Sequence, residues 1–431
     1  MCYTDFRLST VTGDQQYIKA STKYWACGMF GGGGPIIVGR HDRPGRFEDG
    51  TSPIVKGHSG AVLDIDWNPF DDSMMATASE DTNIKIWSIP DDWEPTDEKG
   101  LGKAGKDLET SLLDLEGHAK KVTLLRFHPT ASNTLLSTGA DHTCKVWDIE
   151  AGSAVSTYSG INDLTQDIVW DVRGDTYACS SKDKAIRIVD GRSAKESLKI
   201  DAAHGGAKST KICFMGESGK ILSTGAAKQS GREMKVWDLK QTSKPLHTEA
   251  VDTASGALIP LFDLDTMVLY LCGKGDGIIR IYEFEDKDPY IFKLNDGFRS
   301  TIPGKGYCSI PKRGLDIMGC ETFRIMKVTN NEGLHPLRFI VPRKSDAFQE
   351  DIFPETAAPI PAHTNAEWMK GSSKLPVTMK LDPGSMAKIG SAPASPKKAI
   401  KTVPMLSKEC DELKKRVAYL EGKLKAANVA F

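Results

Sequence analysis

Short β-rich runs that end in a bulky residue recur along most of the chain, and this repeat restricts the fold more than any other feature. The runs are PIIV ending at Val38, NIKIW at Trp87, TCKVW at Trp147, AIRIV at Val189, EMKVW at Trp237, GIIRIY at Tyr282 and TFRIM at Met326. They are separated by 49, 60, 42, 48, 45 and 44 residues. β-Branched and aromatic side chains at this density suit a pleated, half-buried surface. A period of about 40–50 residues leaves room for four short strands, the expectation for a propeller blade. The longest interval contains the polar segment DDWEPTDEKGLGKAGKD (residues 91–107), which reads as a surface insertion. Seven marks predict an all-β, seven-bladed propeller of WD-repeat type over residues 1–341.

Local chemistry repeats with the strands. Gly57-His58 and Gly117-His118 open the second and third units, and Trp87 and Trp147 each follow the His by 29 residues. Asp81, Asp141, Asp183 and Asp276 stand six residues before the terminal bulky residue of their units. An Asp there can accept bonds from turn amides, and a His from the opening loop can reach it. Ser79 and Ser181, two residues earlier, offer a hydroxyl for the same chain of bonds. Ser, His and Asp together also compose a hydrolase triad, but a catalytic site is built once, whereas these residues repeat per unit. They are therefore assigned with Trp87, Trp147 and Trp237 to a structural network, and no catalytic residue is assigned. Some units are degenerate: Gly139 takes the hydroxyl position, Ile161 and Asn162 replace the His, and Gly231 stands in the Asp position of the fifth unit, which keeps Ala203-His204. Gly31–Gly34, Gly219-Lys220 and Gly273–Gly277 lack the order of a phosphate loop and read as tight turns.

Composition narrows the function. Lys and Arg total 56 against 57 Asp and Glu, so no global basic field marks a nucleic-acid binder. No apolar run is long enough to span a bilayer, and MCYTDFRLST lacks a secretory core. The nine cysteines are single and unclustered, which suits reduced thiols in the cytoplasm and offers no metal site. No cofactor is implied, and an enzyme is not expected.

After residue 341 the pattern changes. Residues 342–370 lose strand alternation but keep Phe348, Ile352, Phe353 and Trp368, so an extended arm lying on the propeller is expected. Residues 371–405 contain 13 Pro, Gly or Ser, the composition of a flexible, disordered linker. In residues 406–431, Leu406, Cys410, Leu413, Val417, Leu420, Leu424 and Ala427 alternate by four and three, predicting a short α-helical coiled coil. Residues 374–431 carry 12 Lys or Arg and 5 Asp or Glu, leaving an acidic body with a basic tail. Such a tail suits an actin filament, an acidic phospholipid surface or RNA, or is a solvated linker, and charge does not separate these.

Several segments together resemble the coronin family. They are GHSGAVLDIDWNPF (57–70), CGKGDGIIRIYE (272–283), GKGYCSIPKRGLDIMGCE (304–321), the arm PRKSDAFQEDIFPETAAP (342–359) and the terminal heptads. The resemblance implies a propeller that binds actin filaments in the cytoplasm and at the cell cortex, and a coil that oligomerises. It further implies regulation of filament bundling and turnover, with engagement of the branched-actin nucleating complex and coordination with cofilin; nucleic acid is not an expected partner. Coronins carry a filament-binding Arg in a C-Y-x-D-[IL]-R segment, matched here by Cys2-Tyr3-Thr4-Asp5-Phe6-Arg7, with Phe6 departing from the pattern. Family members place a short basic lead before this segment, whereas this sequence starts at it. The family's R-h-x-x-h-E trimerisation motif is matched by Arg416-Val417-Ala418-Tyr419-Leu420-Glu421. With Val417 at a and Leu420 at d, Arg416 and Glu421 fall at g and e and can bridge neighbouring helices. Val at a with Leu at d favours two strands, whereas the family motif implies a homotrimer, and the homotrimer is the expectation. A general WD-repeat adaptor for ubiquitin ligation or vesicle traffic is the competing class, against which the arm and the terminal coil speak.

Overall fold

The computed structural model describes residues 2–11, 13, 15–47, 52–91, 93, 106–330, 333–345, 347–386, 411 and 413–418. Seven antiparallel sheets follow one another along the chain as the blades of a propeller. The second blade shows the construction: Val62–Trp67, Met74–Ser79, Ile84–Ser88 and Leu113–Leu115 pair in order from the inside outward. The repeated Asp explains the turn between the second and third strands. Asp81 accepts the Asn83 N–H at 3.1 Å while Thr82 takes φ 72°, and Asp141 accepts the Thr143 N–H at 3.2 Å while His142 takes φ 62°. Asp183 does the same for Ala185 at 3.1 Å with Lys184 at φ 68°. A side-chain acceptor two residues back stabilises this left-handed position for a non-glycine residue.

Neighbouring blades bury their apolar faces against each other. Ala76, Ile86, Leu125, Leu135 and Trp147 form one such seam. The ring is closed by the first segment of the chain. The seventh blade consists of Gly306–Ser309, Glu321–Val328 and Leu334–Ile340, and Tyr3–Thr4 joins it as the fourth strand, with Tyr3 opposite Leu334. Gly45–Arg46 adds a fifth, parallel strand. Tyr3 is 2% exposed and packs edge-on to Trp25 at 5.0 Å, so the Cys-Tyr segment is fastened by aromatic packing as well as by backbone bonds.

The arm packs on the face opposite the second-to-third strand turns. It leaves the seventh blade, where Phe353 and Leu381 pack with Ile317. It reaches the third and fourth blades at Trp368, which is 0% exposed. There the short helix Asn365–Met369 opens with a capping box between Thr364 and Glu367. The chain then turns back, and Thr378–Met379 pairs with Thr356–Ala357. The expected linker start at residue 371 is therefore corrected: residues 371–386 belong to the packed arm, with Leu381 only 1% exposed. Composition misled here because Pro, Gly and Ser also serve a reversing hairpin. Residues 387–405 lie outside the described residues.

His128 sits fully buried at the seam between arm and propeller, 4.8 Å from Trp368 and 6.3 Å from His363. Its Nδ1 accepts the Ala131 N–H at 2.8 Å and its Nε2 donates to the Gly174 carbonyl at 2.9 Å, which uses both nitrogens of a neutral ring. Burial holds its pKa down at about 3, and His363 and Arg192 add to the effect. His204 is likewise held at about 4, by burial outweighing its Glu233 partner. The unfolded chain therefore protonates these rings first. Their contribution to stability is complete above pH about 6.5 and is lost as pH falls toward 4, by up to about 1.4 kcal/mol per pH unit for each. Urea unfolding at pH 7.5, 6 and 5 is expected to show this loss; equal stability at all three would contradict it.

Candidate functional site

The turns between second and third strands, and the loops from each fourth strand into the next blade, share one face of the ring. Beneath it lie the polar chains. His58 Nδ1 donates to Asp81 at 2.8 Å, and its Nε2 stands 2.7 Å from the Thr77 hydroxyl, which also accepts the Trp87 indole N–H at 2.8 Å. In the third blade His118, Asp141, Ser137 and Trp147 repeat this at 2.9, 2.7 and 2.8 Å. The fifth blade uses His204, Glu233, Ser223 and Trp237 at 2.9, 2.9 and 2.8 Å.

Charge assigns the protons. Burial holds the His58 and His118 rings below the ordinary histidine value. Burial raises the Asp81 and Asp141 carboxyls, but the His partners and amide donors outweigh it and leave both below the usual carboxylate range. An ionised carboxylate only accepts, so Nδ1 carries the proton. Nε2 then accepts from the hydroxyl, whose lone pair takes the indole N–H. Every polar group is used, and the chain ends on a tryptophan buried between blades. This hydroxyl is not arranged as a nucleophile. Ser137→Ala is expected to leave the His118 and Trp147 nitrogens without partners and to cost about 1–3 kcal/mol. Denaturant unfolding measures this, and a change below about 0.5 kcal/mol would refute the network's structural role.

Several sequence assignments shift. The hydroxyls are Thr77, Ser137 and Ser223, each 19 residues after its His. Ser79 instead accepts the Asp81 N–H at 3.2 Å, because the His ring reaches two residues further along the strand. The fifth blade does not lack its acid: Glu233, two residues past Gly231, has the longer side chain needed to reach His204. In the fourth blade Arg187 fills the place of the missing His. It is 1% exposed and donates to Ser181 at 2.8 Å and Asp183 at 2.5 Å. Burial works against the Asp183 carboxylate, yet Arg187 and Ser181 hold its pKa at about 2. Asp276 takes no histidine; Arg232 of the preceding blade reaches it at 2.6 Å while also clasping Asp252 at 2.6 Å. The constant 19-residue interval was a readable signal for the hydroxyls, whereas the two arginines carried none.

Arg7 stands exposed on the same face, in the loop from the closing strand to the first blade. Its neighbours fix its position. Phe6 is 8% exposed and packs on Trp25 at 5.6 Å, and Leu8 is 8% exposed and bridges to Met29. The Arg7 carbonyl accepts the Phe30 N–H at 2.9 Å, and Phe30 is itself 57% exposed. Lys182, Lys184 and Lys228 are exposed on turns of the same face. Of the assigned coil residues, Leu413, Arg416 and Val417 lie in a helical, exposed stretch. Leu406, Cys410, Leu420, Glu421 and Leu424 lie outside the described residues. Among the described residues, no three His, Cys, Asp or Glu side chains gather to hold a metal ion.

The fold and these chains define a seven-bladed WD-repeat propeller with an arm strapped across one face. Family profiles agree: "WD domain, G-beta repeat" matches residues 51–88 and 109–148, a "type of WD40 repeat" matches 334–376, and a domain of unknown function, DUF1899, matches 1–46. Human Coronin-2A is 37% identical over 392 residues, covering 89% of this chain and 72% of its own length. Coronin-A of Dictyostelium discoideum is 35% identical over 430 residues, covering 98% and 92%. The crystal structure of the WD40 domain of Toxoplasma gondii coronin superposes with a TM-score of 0.82 at 34% identity, covering 89% of this chain and 95% of that one. A chain of the Mitotic Checkpoint Complex, at 14% identity and TM-score 0.58, shares the fold alone. The chain belongs to the coronin family.

Proposed function

We propose that this coronin binds actin filaments through the turn face of its propeller and multiplies that binding by trimerising through residues 406–431. The observation that carries the reading is Arg7, held outward by buried Phe6 and Leu8 beside exposed Phe30 on a face that also presents lysines. A cation carried on a fixed stretch of backbone meets an acidic surface without the cost of ordering that stretch, and an adjacent aromatic adds apolar contact. The protein acts by binding, in the cytoplasm and at the cell cortex, to bundle filaments and regulate their turnover. The branched-actin nucleating complex and cofilin are the further partners, and the basic tail also suits an acidic phospholipid surface. Arg7→Glu is expected to weaken co-sedimentation with filaments by about ten-fold at low salt and to flatten its salt dependence. Unchanged pelleting by the folded variant would sink the assignment of Arg7. Failure of the unaltered chain to pellet at any salt would sink the filament reading and favour an adaptor role.

A further inference from the structure

We propose that Ser373 is a phosphoacceptor whose modification releases the tip of the arm from the fourth blade. Against the third blade the tip is bonded through the Ala362 N–H to the Thr130 carbonyl at 2.9 Å and through Asn365 Nδ2 to the Thr134 hydroxyl at 2.8 Å; against the fourth blade its polar hold is a clamp centred on Arg192. Arg192, in the outer turn of that blade, donates from Nε to the Trp368 carbonyl at 2.6 Å and from Nη2 to the Ser372 carbonyl at 2.7 Å. Its guanidinium lies 4.8 Å from the centre of the Trp368 ring, and the same Nη2 reaches Asp175 Oδ1 at 2.6 Å. The other oxygen of Asp175 accepts the Ser373 hydroxyl. A single carboxylate thus orients the arginine that grips the arm and takes a proton donor from the arm itself.

Ser373 is exposed, in a tight turn where Gly371 takes φ 99°, and lysines stand three residues before and one after it. A Ser/Thr kinase that reads basic residues near the acceptor meets these requirements on the folded chain. In the transfer the serine oxygen forms a bond to the γ-phosphorus of ATP. The bond from that phosphorus to the β,γ-bridging oxygen breaks, ADP leaves, and the hydroxyl proton is released to solvent. The product carries about −1.5 to −2 charge where a neutral donor had been, directly against Asp175. It cannot donate to the carboxylate, and it competes with Asp175 for Arg192, whose Nε and Nη2 are committed to the arm's carbonyls. The base of the arm, where Phe353, Leu381 and Ile317 pack, is untouched, so only the tip is released.

The test uses the full chain. Ser373→Glu is expected to speed amide hydrogen exchange across residues 366–373 by about ten-fold or more, while Ser373→Ala changes it less than about three-fold. Adding Asp175→Asn is expected to cancel the difference between Glu and Ala, because the repelling charge is gone. Unaltered exchange in Ser373→Glu, slower exchange through capture of Arg192, or the same loosening with Asp175→Asn would each overturn the mechanism. Phosphosite mapping by mass spectrometry, on chain recovered from cells with phosphatases inhibited, is expected to find phosphate on Ser373. Phosphate found elsewhere on the chain but not there would overturn the assignment of the acceptor.

Discussion

Removal of residues 387–431 is expected, on the proposed trimeric reading, to weaken filament binding by about 10²–10⁴, because tethered copies would face the filament at effective concentrations near millimolar. The cut belongs after Met386. A cut at residue 370 would also delete Met379 and Leu381, which are 9% and 1% exposed in the packed arm, and so would confound avidity with damage to the fold. Leu413 and Val417 stand four residues apart on the helical stretch and are 58% and 53% exposed in the single chain, as an uncovered seam would be. Leu413→Lys should reproduce the loss in full length, since a charge at that seam cannot be buried unpaired. Sedimentation equilibrium reports the monomer, and co-sedimentation reports binding. Equal pelleting by the truncated and complete chains would remove avidity from the mechanism, and a trimeric Leu413→Lys variant would refute the heptad register.

Trp368→Ala is expected to be the most damaging single truncation outside the ring, costing about 3–5 kcal/mol if the tip stays docked. The indole is 0% exposed and meets Trp170 edge-on at 6.0 Å, His128 at 4.8 Å and Arg192 at 4.8 Å. The loss has a ceiling, because a tip that detaches forfeits only its docking energy. Detachment would also expose His128, removing the cause of its low pKa. The variant should therefore exchange amides rapidly across residues 361–373 and lose part of its sensitivity to pH between 6.5 and 4. Native-like exchange there would show that the Arg192 clamp and the bonds to Thr130 and Thr134 hold the arm without the indole.

The blades were legible because their signal is local. Each strand marks itself by alternation, and each Asp at the turn bonds an amide two residues on, so Asp81, Asp141 and Asp183 fall where spacing put them. The His partners were legible for a related reason: strand length fixes the interval from opening loop to turn. What escaped the sequence involves choices between near-equivalent positions or between blades. Thr77 and Ser79 lie on the same face of one strand, and only the depth reached by the His58 ring selects the first. Arg187 could stand in for a histidine only because folding sealed its guanidinium among Ser181, Asp183 and Glu196. Arg232 joins Asp252 and Asp276 across a blade boundary that no local pattern records.

By itself, then, the sequence determined a seven-unit propeller, its turn chemistry, an arm with buried aromatics and a heptad tail, since periodicity and short-range hydrogen bonding depend on neighbours in the chain. Tertiary structure alone decided that Tyr3–Thr4 closes the seventh blade, that the arm runs out to Trp368 and returns to Met386, and that Asp175 and Arg192 grip its tip. These contacts join residues far apart in the chain, and their free energy comes from burial and charge pairing that exist only once the ring has assembled.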